Sequence, residues 1–120
     1  MSTVSPRVII CEDDFLLAEA LADAVLQLGC EVEICVNNVE GALQAAATLN
    51  SHLAIVDLDL RGIKVYEVLD SLRQRGIPYI LATSAAEHDI PPRFSHAPRV
   101  IKPYALATLR QAMKQIGIIE

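Results

Sequence analysis

The sequence predicts an α/β fold: a doubly wound, five-stranded parallel sheet with helices on both faces. Two observations carry this. Short β-branched runs alternate along the chain with segments of helical period, and such alternation requires right-handed crossovers that carry each helix over the sheet. The run LAIV at 53–56 is apolar at every position, which suits a central strand buried on both faces.

The strands, in order, are Arg7 to Cys11, Glu31 to Val36, Leu53 to Asp57, Tyr79 to Thr83 and Arg99 to Ile101. Between the first two, Leu17, Leu21, Ala24 and Leu28 recur at helical spacing, and Gly29 supplies the stop. Asn38 can cap a second helix that runs through Leu49. A third helix spans Lys64 to Gln74, turns Val65, Val68, Leu69 and Leu72 inward, and ends near Gly76. The last follows Pro103, with Leu106, Leu109, Met113 and Ile116 on one face.

With 120 residues, 52 % of them hydrophobic and 21 % charged, the chain is expected to form a single domain, 1–120, with a core that needs no crosslinks. Its net charge of −5, with no Lys and Arg run interleaved with aromatics, argues against direct nucleic-acid binding and favours a divalent cation. The start MSTVSPRV lacks the pattern of a signal peptide, and no segment approaches the roughly 20 apolar residues of a membrane span, so a cytoplasmic protein is expected. Cys11, Cys30 and Cys35 follow no metal-ligand spacing with His52, His88 or His96 and are expected to be buried, reduced thiols. The histidines receive no ligand role.

Ligands of open parallel sheets collect outside the carboxyl ends of the strands. At those ends stand Glu12, Asp13 and Asp14 after the first strand, Asp57 at the third, Thr83 at the fourth and Lys102 after the fifth. Crowded carboxylates raise one another's pKa unless a cation intervenes, and Mg2+ asks for only a few oxygen ligands. Asp14 and Asp57 are the expected direct ligands, with Asp13 acting through water and Asp59 offering its main-chain carbonyl. With the ion present, Asp57 can attack a phosphoryl group. Lys102 then holds an oxygen as a point charge, and the Thr83 hydroxyl donates to another. A cis bond before Pro103 would aim Lys102 inward.

Each residue also has an ordinary explanation. Asp14 can cap the first helix, Asp57 and Asp59 can be turn residues, Thr83 suits a strand by propensity, and Lys102 alone is a surface charge. Their joint arrival at one edge of the sheet favours the functional explanation.

VIICEDD (8–14), AIVDLDL (54–60), PYILATS (78–84) and VIKPY (100–104) resemble the receiver domain of two-component response regulators, the CheY-like fold, over essentially the whole chain. The resemblance implies strand order 2-1-3-4-5 and a signalling protein rather than an enzyme. It implies that Asp57 accepts phosphate from a histidine kinase or histidine phosphotransfer protein, that Asp13 and Asp14 bind Mg2+, and that Thr83 and Lys102 stabilise the phosphorylated form. The chain is then a stand-alone receiver, without an effector domain, or an excised piece of a longer protein.

Three departures from the common pattern stand out. Arg99 occupies the position of the usual switch aromatic, three residues before the lysine, and Arg61 stands where most receivers have a proline. Only 18 residues separate Thr83 from Lys102, and they include Pro91, Pro92 and Pro98, so the fourth helix is expected to be a short or irregular, mobile segment. That shortening, with the sequence ATS, is similar to the stand-alone receivers of alphaproteobacterial type whose fourth strand ends in a FATGY-like motif, although Leu81, Ser84 and Ala85 depart from it.

Two other functions fit parts of the pattern. Asp57-Leu58-Asp59 also fits the nucleophile motif of haloacid-dehalogenase-like phosphatases, but there the motif lies near the start, and here the acid pair precedes it. A non-phosphorylated pseudoreceiver that serves as a binding module is the other, kept open by Arg99. Asp59 and Ala85 are further expected to flank the path of water towards an acyl phosphate and so to set its lifetime.

Overall fold

The computed structural model describes residues 5–84 and 90–120. In chain order the elements are β1 (Arg7–Cys11), α1 (Phe15–Gln27), β2 (Glu31–Val36), α2 (Val39–Thr48), β3 (Leu53–Asp57), β4 (Asp59–Leu60), β5 (Ile63–Lys64), α3 (Tyr66–Gln74), β6 (Tyr79–Thr83), a 3-10 turn (Pro92–Phe94), β7 (Arg99–Ile101) and α4 (Leu106–Ile116). The main sheet has the order β2-β1-β3-β6-β7, and every pair in it is parallel. These are the five expected strands in the expected order.

The sheet divides the core in two because alternate side chains leave opposite faces of a strand. Ala54 and Val56 of β3 join Ile9, Leu81 and the inner faces of α2 and α3. Leu53 and Ile55 join Val8, Ile10, Ile80 and the inner faces of α1 and α4. All five residues of β3 and of β6 are buried, so Asp57 and Thr83 end the two fully enclosed strands of the sheet.

Caps set two helix starts. Asp14 Oδ1 accepts the Leu17 amide at 3.1 Å at the start of α1, and Asn38 Oδ1 accepts the Gly41 amide at 2.7 Å at the start of α2. The buried stripe of α1 is Ala18, Leu21 and Val25, with Leu17, Ala24 and Leu28 on its flanks. This helix is apolar nearly all round, so periodicity alone left the centre of its inward face open. At the far end of α2 the Arg75 guanidinium donates to the carbonyls of Ala46 and Leu49 and to Asn50 Oδ1, at 2.6 to 2.7 Å.

The third helix begins at Tyr66 rather than Lys64, because residues 59–64 form a small antiparallel hairpin, β4 with β5. Arg61 and Gly62 at its tip both have positive φ, 53° and 82°, as a two-residue hairpin turn matching the strand twist requires. Cys35 is a second correction: Cys11 and Cys30 are buried, but Cys35 lies exposed on β2, an edge strand with a single neighbour.

Between β6 and β7 the described residues contain one 3-10 turn, in keeping with a short or irregular fourth helix. Phe94 is fully buried beside Tyr66 and Tyr79, with ring centroids 5.9 and 6.3 Å away. Arg93 covers the Phe94 ring and forks onto Asp70 of α3 at 2.9 and 3.0 Å. Ala85 and His88, with the part of the expected mobile segment at 85–89, lie outside the described residues. Among those described, no helix is long and apolar enough to cross a membrane.

Candidate functional site: an acidic pocket at the strand ends

Parallel register delivers the site residues to one edge. Asp57 pairs with Ala82, so Thr83 stands one residue further along β6. Thr83 pairs with Ile101, and Lys102 then donates its amide to the Thr83 carbonyl at 2.9 Å. Asp57 and Thr83 are both buried. The Lys102–Pro103 peptide bond is cis.

Carboxylate oxygens of Glu12, Asp13 and Asp57 lie within 4.8 Å of one another. Lys102 Nζ bridges two of these acids, 2.5 Å from Asp57 Oδ2 and 3.1 Å from Glu12 Oε1. Tyr104 Oη donates to Glu12 Oε1 at 2.7 Å, and the Asp14 amide donates to Glu12 Oε2 at 3.1 Å. The hairpin reaches in from the other side: the Arg61 amide donates to Asp13 Oδ2 at 2.8 Å, and the Asp59 amide to Asp57 Oδ1 at 3.1 Å.

These contacts explain the electrostatics. Burial pushes the Asp57 carboxyl up to about 6 against the opposing pull of Lys102 and the Asp59 amide, and the Glu12 charge pushes the same way as burial. Burial alone would lower Lys102, yet its bonds to Asp57 and Glu12 hold it above the usual lysine range. The Arg61 amide holds Asp13 below the usual carboxylate range. Burial and the bond to Glu12 raise the Tyr104 phenol well above its ordinary value, so it stays protonated and donates.

Of the residues expected here, Asp57 and Lys102 meet directly, the Asp13 carboxylate lies within 4.8 Å of that of Asp57, and Thr83 stands at the adjoining strand end. Asp14, expected as a direct metal ligand, instead turns its carboxylate to the Leu17 amide and is absent from the acidic group. Glu12 takes its place: as the first residue past β1 it is buried, whereas Asp14, two residues on, is exposed and caps α1. Tyr104 had no sequence signal beyond its position after Lys-Pro. The Asp59 side chain lies 3.6 Å from Lys64 and leaves only its main chain beside Asp57. The pocket suits a small, hard cation, with oxygen donors alone and more negative charge than one ammonium offsets.

The chain belongs to the response regulator receiver domain family, whose profile matches residues 8–114. Among solved structures it is similar to SdrG from Sphingomonas melonis Fr1, with 29% identity over 94% of this chain and 97% of that one and a TM-score of 0.84. It is also similar to the signal receiver domain of a modulated diguanylate cyclase from Desulfovibrio desulfuricans G20, with 28% identity, 93% of each chain covered and a TM-score of 0.80. The receiver domain of the response regulator PhyR from Erythrobacter litoralis shares 26% identity over 92% of this chain and 88% of that one, with a TM-score of 0.75. No curated protein matches the sequence. Receiver domains are signalling modules rather than enzymes, which sets aside the phosphatase built on Asp57 and Asp59.

Proposed function

We propose that the chain receives a phosphoryl group on Asp57 from a histidine kinase or a histidine phosphotransfer protein, with Mg2+ held by Glu12, Asp13, Asp57 and the Asp59 carbonyl. The observation that carries this is the convergence of three carboxylates under one lysine at the carboxyl edge of the sheet. Mg2+, when bound, supplies charge that offsets the anionic phosphoryl oxygens.

The chain's own residues supply the rest. An Asp57 oxygen attacks phosphorus as the P–N bond to the donor imidazole breaks, and that electron pair returns to the imidazole nitrogen. Lys102 leaves the Asp57 carboxylate for a phosphoryl oxygen, and the Thr83 hydroxyl donates to another. Asp14 caps α1 and takes no ligand role.

Incubation with a phosphorylated histidine kinase of the same cell tests the partner class. Label should pass to the wild-type chain and not to D57N; label that stays on every such kinase, or reaches D57N equally, contradicts the proposal.

A further inference from the structure

We infer that Tyr104 is a positioning residue for this site: its phenol fixes the Glu12 carboxylate in the orientation that Mg2+ binding needs. The inference rests on the proposal that Glu12, Asp13 and Asp57 hold Mg2+. Glu12 has one more side-chain torsion than the two aspartates it works with, and so needs more anchoring.

Three donors meet the Glu12 carboxylate. The Asp14 amide holds Oε2. Lys102 touches both oxygens, at 3.1 and 3.2 Å, but divides itself between Glu12 and Asp57. Tyr104, 2.7 Å from Oε1, is the side-chain donor committed to Glu12 alone among the described residues. When Lys102 moves to a phosphoryl oxygen, Tyr104 and the Asp14 amide are what still hold Glu12. The ring is itself held, packed against the apolar layer beneath α1 and α4. Carboxylates that bind metals are commonly oriented by such outer partners, whose loss lowers affinity about tenfold or more.

Tyr104→Phe keeps the ring and removes only the hydroxyl, and a melting curve checks that packing survives. Calorimetric titration with Mg2+ of the wild type, Y104F, E12Q and the double variant then forms a cycle. Y104F should bind about tenfold more weakly, with little further loss when added to E12Q. In the wild type, Mg2+ should also perturb a tyrosine absorption band that Y104F lacks. Equal affinity of Y104F and wild type, or losses that multiply in the double variant, overturns the inference while leaving the Mg2+ site intact. A wild type that binds no Mg2+ overturns both.

Discussion

Lys102 Nζ, carried by the chain just past β7, lies 2.5 Å from Asp57 Oδ2 at the end of β3, across the intervening strand β6. Burial nevertheless holds the Asp57 carboxyl up at about 6. Protons therefore compete with a cation for this oxygen. Mg2+ affinity, measured by calorimetry, is expected to fall about tenfold from pH 7 to pH 5. A flat profile over that range contradicts the assignment.

The same shift has a consequence for stability, with the sign set by which state binds the proton. Asp57 titrates higher in the folded chain, so without metal its ionisation costs stability as pH rises from about 4 to about 6, and the cost persists above that. D57N is expected to exceed the wild type in urea midpoint at pH 7 in chelator, with the gap closing below about pH 4. A D57N midpoint below that of the wild type at pH 7 counts against it.

Asp14 and Asp13 separate by role. D14A should cost about 1 kcal/mol of stability through the lost cap and leave Mg2+ affinity within about twofold, with D14N retaining the cap. D13N should weaken Mg2+ binding about tenfold or more. The reverse pattern would restore Asp14 as the ligand.

Tyr79 is buried, and its hydroxyl has no partner among the described residues. Removing an unsatisfied polar atom while keeping the ring should help, so Y79F is expected to gain about 1 kcal/mol in urea denaturation. A loss of that size would mean that the hydroxyl is bonded in solution.

All five strands of the main sheet were legible because β-branched runs end where the polar strand-end residues begin, and Asp57, Thr83 and Lys102 follow from that. What the sequence hid were matters of local geometry. Glu12 and Asp14 both carry a carboxylate, and only the point at which β1 gives way to α1 decides which turns inward. The β4–β5 hairpin is two residues to a strand, too short for a periodic pattern, and Arg61 holds a positive φ at its tip that composition does not announce. Tyr104 follows Lys102-Pro103 in sequence, but only the fold brings its hydroxyl to Glu12, 92 residues away.

Asp57 as phosphoacceptor is tested most directly by intact-mass measurement after incubation with acetyl phosphate and Mg2+. The wild type should gain the mass of one phosphoryl group, mapped to Asp57 and lost with chelator present, and D57N should gain none. No adduct on the wild type, or an undiminished one on D57N, would rule out Asp57 as the phosphoacceptor.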